Sequence, residues 1–192
     1  KTLVGHQGQI LSLAFNPDSK SLVTGGNDNT VRLWNINKFE SKIIDSNSGN
    51  VEGITFSPDG ELIAFVTWDK IVKIYNQEGR QIEIFKDSKQ SLWKVAFSPD
   101  GETLATGSYE GEIKLWQLNN HFLKRLNGDT KNIKSLVFSP DSKLLASSSW
   151  DHNVAIWDLK GQLLNTFKNH SQSVVNLSFS GDGKTLATAS LD

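Results

Sequence analysis

The apolar residues of this chain fall into short runs separated by polar turns, and the same runs return every 41 residues. The clearest run alternates apolar and polar residues, as in Val31-Arg32-Leu33-Trp34 and Ile113-Lys114-Leu115-Trp116. Alternation with a period of two predicts a half-buried β-strand. Two other apolar runs precede this one in each repeat, and a weaker run follows it. The weaker runs end at Leu3, Ile44, Phe85, Leu126 and Phe167. The pattern therefore predicts four short strands per repeat and no helix.

The turn between the first and second predicted strands carries the repeat's most regular residue, a proline. These residues are Pro17, Pro58, Pro99 and Pro140, each 41 residues after the previous one. Proline fixes φ at the second turn position, and the following Asp with Gly or Ser favours a tight β-turn. Segments such as Ser98-Pro99-Asp100-Gly101 therefore predict β-hairpins.

The repeat length and the strand count together predict the fold class. A period of roughly 20 to 50 residues is typical of repeat architectures, and four antiparallel strands per period are typical of a propeller blade. We predict an all-β, incomplete β-propeller of about 4.7 repeats, as a single partial domain over residues 1–192. The repeats span residues 5–45, 46–86, 87–127, 128–168 and a truncated 169–192. Residues 1–4 would be an isolated fourth strand, so we expect the chain to belong to a longer propeller.

Composition excludes several classes of protein. The formal net charge is −1. The chain has no cysteine, and this excludes disulfides, a cysteine nucleophile and thiolate metal ligands. No apolar stretch approaches the roughly 18 residues of a membrane span, and no signal peptide is visible. We therefore expect a cytosolic protein with no membrane partner, and we predict no cofactor. The absence of methionine, even at position 1, indicates a start inside a longer reading frame.

Several motifs resemble the WD40 family, and the resemblance covers the whole chain. Gly5-His6, then Asp28 22 residues later, then Trp34-Asn35 match the family's pattern, as do Asn169-His170 and Trp157-Asp158. The Ser-Pro-Asp-Gly turns are similar to those of long bacterial WD40 arrays. Trp68-Asp69 and Trp150-Asp151 have the family's name-giving dipeptide, but they stand in the turn before the third strand.

The resemblance implies a hydrogen-bonded tetrad in each blade, formed in the first repeat by His6, Thr24, Asp28 and Trp34. A hydroxyl, an imidazole and a carboxylate also form nucleophilic catalytic triads. Repetition in successive blades favours the structural interpretation, because a protein does not usually need one triad per blade. The corresponding residues are Asn47, Phe65, Asp69 and Tyr75, then Ser88, Thr106, Glu110 and Trp116, then Asp129, Ser147, Asp151 and Trp157, and finally His170, Thr188 and Asp192. In the second set we expect apolar packing to replace the hydrogen bonds.

The fourth set suggests a less favoured alternative, because it has Asp129 where the first has His6. If Asp129 approaches Asp151, two carboxylates share a site, and either one pKa rises or a cation binds. His152 would lie beside them. The plainer interpretation is that Asp129 points into solvent.

Two positions vary in residue type among the repeats, and such positions are free for a purpose other than folding. The residue before the turn acid is Asn27, Trp68, Tyr109, Trp150 or Leu191, and the second residue of the first strand is Leu11, Glu52, Trp93, Lys134 or Val175. We expect both positions to be exposed. The resemblance places both on the rim of the central channel, where partners commonly dock. Trp68, Trp93, Tyr109 and Trp150 would then form an aromatic arc, with a polar rim of Glu52, Lys70, Lys94, Lys131 and Lys134. The alternative is that each ring packs flat against a neighbouring blade.

These observations favour a protein–protein interaction platform that is not an enzyme, as part of a larger scaffold or signalling protein. The predicted partner-binding residues are Trp68, Trp93, Tyr109, Trp150, Leu11, Glu52 and Lys134. Binding of single-stranded RNA by ring stacking is the alternative, but three arginines and a net charge near zero provide little attraction for phosphates. A metal or acid–base site at Asp129 and Asp151 is a weaker alternative.

Overall fold

The computed structural model describes residues 1–46, 49–86, 90–118, 122–126 and 131–192. Its strands belong to two compact units, Lys1–Leu92 (unit 1) and Trp93–Asp192 (unit 2). The described residues form β-strands, turns and irregular segments, and no helix occurs among them.

Unit 1 contains two antiparallel sheets of four strands each. The first consists of β1 (Ile10–Phe15), β2 (Ser21–Gly26), β3 (Val31–Asn35) and β4 (Glu40–Asp45). The second consists of β5 (Val51–Phe56), β6 (Leu62–Thr67), β7 (Val72–Asn76) and β8 (Gln81–Phe85). In both sheets the strands lie side by side in chain order.

Unit 2 continues the same arrangement. Its first sheet consists of β9 (Leu92–Phe97), β10 (Thr103–Ser108), β11 (Ile113–Gln117) and β12 (Phe122–Leu126). The next consists of β13 (Ile133–Phe138), β14 (Leu144–Ser149), β15 (Val154–Asp158) and β16 (Leu163–Phe167), and the last is the hairpin of β17 (Val174–Phe179) and β18 (Leu186–Ser190). The predicted all-β fold with four-stranded antiparallel blades is confirmed, and each sheet is one blade.

The hairpin turns have the predicted chemistry. The residue after the turn aspartate has a left-handed backbone, with φ of 78° at Gly60 and 76° at Gly101. Ser19 and Ser142 take the same conformation with φ of 58°. In the second turn the N–H of Gly60 donates to the Ser57 carbonyl at 2.9 Å, and the Ser57 hydroxyl donates to Asp59 at 2.5 Å. The turn thus satisfies its own backbone groups and fixes the register of the two strands.

Blades within each unit pack through the first two strands. In unit 1, β1 and β2 cover β5 and bury a cluster that includes Val23, Val51 and Phe65. Gly25 permits this close approach, because a Cβ there would lie 2.3 Å from Cγ1 of Val51. Phe56 in β5 is consequently buried, whereas Phe15, its counterpart in β1, remains exposed.

One predicted strand is wrong. Residues 1–4 were predicted as a fourth strand ending at Leu3, but residues 1–9 form no strand. A strand needs a neighbouring strand to satisfy its backbone N–H and C=O groups. None of the described strands pairs with this segment, so the apolar residue alone is not sufficient.

Candidate functional site

A β-bulge in the first strand of the blade explains why one repeat position is so variable. The pairing of β13 with β14 passes directly from Ile133 to Ser135, and the same shift occurs in β1, β5 and β17. A bulge leaves one residue outside the ladder and redirects its side chain. The skipped residues are Leu11, Glu52, Lys134 and Val175. The bulge was not predicted, although the three-residue spacing of Ile10 and Leu13 breaks the period of two and could have indicated it.

The residue before the turn acid is exposed in every repeat, as expected. Its side chain is exposed at Asn27, Trp68, Tyr109, Trp150 and Leu191. The second residue of the first strand is less accessible, since only Val175 is exposed and the other four are half-buried. Trp150 is 53% exposed, so it does not lie flat against a neighbouring blade.

Unit 2 brings four of the predicted binding residues together. The rings of Trp93 and Tyr109 are 5.9 Å apart between centroids. The Lys134 ammonium lies over both Trp93 and Trp150, 4.9 Å and 4.8 Å from the ring centroids. The backbone N–H of Trp150 donates to the backbone carbonyl of Lys131 at 3.0 Å, which fixes the turn beside β13. We call Trp93, Tyr109, Lys134 and Trp150 the aromatic–lysine surface.

The remaining predicted binding residues lie in unit 1. The Trp68 side chain is exposed, and the backbone N–H of Trp68 donates to the backbone carbonyl of Asn50 at 3.0 Å. Leu11 and Glu52 are half-buried at their bulges. A continuous arc that joins Trp68 to the aromatic–lysine surface therefore stays a prediction.

The tetrad residues of the first blade form a continuous chain of hydrogen bonds. The Trp34 indole N–H donates to the Thr24 hydroxyl at 2.7 Å, and that hydroxyl is 2.7 Å from His6 Nε2. His6 Nδ1 is 2.9 Å from an oxygen of Asp28. This network assigns the ring proton to Nδ1, which then donates to the carboxylate. Trp34 and Thr24 are buried, so the chain of bonds lies inside the blade.

Asp28 is the most strongly hydrogen-bonded member of this chain. Its carboxylate also accepts the N–H of Gln7 at 2.8 Å and the hydroxyl of Thr30 at 2.8 Å. Burial acts to raise the pKa of Asp28, but the bonds from Gln7, Thr30 and His6 outweigh it and lower the pKa to about 2. Asp28 is therefore ionised at neutral pH and connects the turn after β2 to the segment before β1.

The fifth repeat has the same bonds in a more open setting. His170 Nε2 is 2.7 Å from the Thr188 hydroxyl, and His170 Nδ1 is 3.1 Å from Asp192. A bond from the N–H of Ser171 is the main cause that lowers the pKa of Asp192 to about 2. The His170 and Asp192 side chains are 27% and 28% exposed, against 3% and 9% for His6 and Asp28.

The other repeats keep only part of the network. Trp116 donates to Thr106 at 2.9 Å, and Trp157 donates to Ser147 at 2.9 Å. In the second blade, the buried rings of Phe65 and Tyr75 stack 5.6 Å apart, in the place that the hydrogen bonds take in the first. Asp69 and Glu110 are exposed.

The proposed pair of carboxylates falls partly outside the described residues. Asp129 is one of the residues not described, and so are Asn47, Ser88 and His121. Asp151 accepts hydrogen bonds from the Ser149 hydroxyl and the N–H of Asn153. Within the described residues, no cluster of three or more His, Asp or Glu side chains could hold a metal ion. The same part of the chain has no helix with the length and apolar character needed to cross a membrane.

Sequence reasoning missed a buried charge in the third blade. The Lys114 side chain is 1% exposed, and its ammonium is 3.5 Å from Glu112, which also pairs with Arg125 at 2.6 Å. Lys73 forms an equivalent pair with Asp45 at 2.9 Å. The sequence signal was a basic residue at the second position of the third strand. Its acidic partners have no common spacing, since Glu112 directly precedes β11 and Asp45 ends β4 of the preceding blade.

The tetrad geometry does not fit a catalytic triad. A nucleophilic hydroxyl must reach a substrate, but the Thr24 oxygen is buried and accepts the Trp34 indole N–H. A buried network in which every member is satisfied instead stabilises one structure.

Comparisons with known proteins connect the chain to propellers. A family model described as the IFT122 first beta-propeller matches residues 1–192. Three relatives share similarity over about one repeat. They are eukaryotic translation initiation factor 3 subunit I of Phaeosphaeria nodorum, Protein FIZZY-RELATED 1 of Arabidopsis thaliana and the Notchless protein homolog of Arabidopsis thaliana.

The aligned segments of these matches are short. The identity is 54% over 35 residues for the first, 49% over 35 for the second and 44% over 36 for the third. Each match covers 18% or 19% of this chain and 10%, 7% and 8% of the respective relatives. The chain thus spans about a tenth or less of the length of the curated relatives it matches.

Proposed function

This chain belongs to the IFT122 first beta-propeller family of WD40-repeat proteins, and we propose that it binds a protein partner through the aromatic–lysine surface. WD40 propellers are typically protein-interaction domains. The observation that carries the proposal is the exposure of Trp150 above the Lys134 ammonium. At the same repeat position the first and fifth copies carry Asn27 and Leu191, so the blade does not require an aromatic ring there.

The chemistry of this surface suits an interface. Trp and Tyr are enriched among the residues that dominate binding energy, where each side chain contributes about 2 kcal/mol or more. A large rigid ring loses little conformational entropy when a partner covers it. Trp93, Tyr109 and Trp150 offer three such rings within one contiguous cluster, and Lys134 orients two of them.

We also propose the predicted binding residues of unit 1 as partner contacts within that unit. Trp68 occupies the repeat position of Trp150, while Leu11 and Glu52 occupy that of Lys134. Lys70, Lys94 and Lys131 would contribute to a polar rim. The assignment of these residues rests on their repeat positions alone.

The proposed role is that of a non-catalytic platform in a larger cytosolic scaffold or signalling protein. The buried Thr24 hydroxyl supports the absence of nucleophilic chemistry at the tetrad. One relative is named as a subunit of a larger factor, which agrees with a role in an assembly.

The experiment compares partner capture with stability. The tagged protein is used as bait in extract of its own cells, with Trp150→Ala and Trp93→Ala as test variants. Leu191→Ala is the matched control, because it removes an exposed side chain at the same repeat position. We expect Trp150→Ala to weaken capture by about 2 kcal/mol, or roughly 30-fold.

Thermal unfolding of the same variants completes the test. Trp150→Ala should remove one exposed cation–π contact, a loss of about 0.5–1 kcal/mol. Unchanged capture by Trp150→Ala and Trp93→Ala would refute the proposed function. An equal loss of capture with Leu191→Ala would show that the effect is not specific to the surface.

A further inference from the structure

Two aromatic rings hold Lys134 in a defined place, and no acidic partner for it occurs among the residues that the structure describes. Its ammonium contacts the faces of two indoles, and ring faces attract a cation through their quadrupole without neutralising its charge. Among the residues that the structure describes, no carboxylate lies within ion-pair distance of Lys134. The surface therefore presents a positioned cation between the half-buried ring of Trp93 and the exposed ring of Trp150.

Most acids close to this surface are engaged elsewhere. Asp151, next to Trp150, accepts hydrogen bonds from Ser149 and Asn153 within its own turn. Glu112 pairs with Lys114 and Arg125. Glu110 is exposed beside Tyr109, but Lys131 adds a second exposed lysine next to Trp150. Hydrogen bonds from neutral donors leave the charge of Asp151 in place, so what distinguishes Lys134 is that no described carboxylate pairs with it directly.

Burial makes Lys134 more receptive to an anion. The pKa of Lys134 lies below its usual value, because burial removes water from the ammonium. An incoming carboxylate would replace the lost hydration with a charge-assisted hydrogen bond. The other repeats have Leu11, Glu52 or Val175 at this bulge, so this property is specific to the fourth repeat.

The aromatic rings indicate which type of side chain should stand next to the carboxylate in a partner. Trp150 and Tyr109 are exposed rings of this surface, so an apolar or aromatic side chain would pack against them while the carboxylate meets Lys134. A nucleic acid fits less well, because phosphate recognition favours several basic groups and the whole chain has a net charge of −1.

We infer that the aromatic–lysine surface recognises a peptide segment in which an acidic side chain stands next to an apolar or aromatic one, with the carboxylate on Lys134. The inference rests on the proposed function and specifies the chemistry of the partner.

The experiment uses a pair of fluorescein-labelled peptides of twelve residues. One alternates Asp and Phe within a Gly/Ser background, and its twin has Asn in place of Asp. Fluorescence anisotropy measures both against the full chain and its variants. Lys134→Met keeps the packing between the indoles and removes the charge, while Lys134→Arg keeps the charge. Lys160→Met is the control, because it removes one exposed lysine elsewhere in unit 2.

We expect the acidic peptide to bind at least fivefold more tightly than its twin. Lys134→Met should abolish this preference, whereas Lys134→Arg and Lys160→Met should retain it. Equal affinity for the two peptides would overturn the inference, and so would an unchanged preference in Lys134→Met. Stronger binding of a twelve-nucleotide uridine RNA than of the acidic peptide would also overturn it.

The two proposals fail in different ways. If the acid preference is absent while Trp150→Ala still loses the cellular partner, the inferred chemistry is wrong and the interaction surface remains. If Trp150→Ala captures its partner normally, the proposed function is wrong. Circular dichroism of Lys134→Met shows that the variant is folded before binding is measured.

Discussion

Two groups among the six tryptophans of this chain can be compared, and the comparison separates folding from function. Trp34, Trp116 and Trp157 are the next-to-last residues of the third strands of their blades. They are buried and donate their indole N–H to a hydroxyl on the second strand. Trp68 and Trp150 stand in the turn before the third strand and are exposed. The residue type is the same, so its position in the repeat determines whether the ring stabilises a blade or remains available to a partner.

The largest expected difference concerns Trp157 and Trp150, which are seven residues apart. Trp157 is 1% exposed, and Trp157→Ala should reduce the free energy of unfolding by about 3–5 kcal/mol. Trp150→Ala should reduce it by less than about 1 kcal/mol, because only an exposed cation–π contact is lost. Urea unfolding followed by circular dichroism measures both. Equal losses would mean that Trp150 belongs to the core.

The next effect concerns the two copies of the histidine–aspartate pair. Asp28→Ala leaves His6 and the backbone N–H groups of Gln7 and Thr30 without this acceptor, and the bonds of His6 and Thr30 are part-buried. We expect a loss of about 2–3 kcal/mol in unfolding free energy. Asp192→Ala removes the corresponding bonds in a more solvent-exposed setting, so its effect should be clearly smaller. A similar loss for both variants in urea unfolding would contradict the role that burial has in this account.

Lowering the pH should reduce the free energy of unfolding through protonation of Asp28, the carboxylate of the His6–Asp28 pair. The pKa of Asp28 is about 2 in the folded chain, against an ordinary value near 3.8. A depressed pKa contributes stability that is complete above the ordinary value and is lost as the pH falls from about 4 towards 2. Asp28→Asn should therefore flatten the pH dependence of unfolding free energy in this window.

Other aspartates will contribute to the same acid transition. Hydrogen bonds from the serine hydroxyl of the turn, such as Ser57, lower the pKa of Asp59, and the pKa of Asp100 is also below its usual value. The difference between the natural chain and Asp28→Asn isolates the Asp28 contribution. Parallel curves from pH 2 to pH 7 would contradict a depressed pKa at Asp28.

The smallest effect is expected for Trp68 in unit 1. Trp68→Ala should leave stability within about 1 kcal/mol, since the ring is exposed. It should weaken capture of the partner less than Trp150→Ala, because the bulge position in its blade has Glu52 rather than a lysine held over the ring. A capture assay with both variants decides this. A greater loss with Trp68→Ala would contradict the assignment of the main partner contact to the aromatic–lysine surface.

The sequence predicted the blades well because each local signal is repeated in register. The alternation around Trp116, the turn at Pro99 and the phenylalanine that ends β9 specify the same hairpins in each copy. The segment before Gly5 failed as a strand because an apolar residue such as Leu3 predicts a strand only when a neighbouring strand is present.

The candidate site was only partly predictable. Variation among repeats predicted Trp93, Tyr109, Lys134 and Trp150 as candidate binding residues, because differences in residue type between repeats can be seen in the sequence alone. The contact of Lys134 with two indoles was not predictable, since it depends on a bulge and on packing between consecutive blades. The burial of Lys114 was hidden for a similar reason, because its acid partner Glu112 is set by the turn rather than by the strand pattern.

Site-specific photo-crosslinking tests most directly whether the exposed ring at position 150 meets a partner. Trp150 is replaced by p-benzoylphenylalanine in the protein as it is expressed in its own cells, and Leu191 is replaced in a matched control. We expect a light-dependent adduct from position 150 that is lost with Lys134→Met or Trp93→Ala, and no such adduct from position 191. No adduct from position 150, or an equal yield from position 191, would contradict the assignment of the aromatic–lysine surface as the partner-binding site.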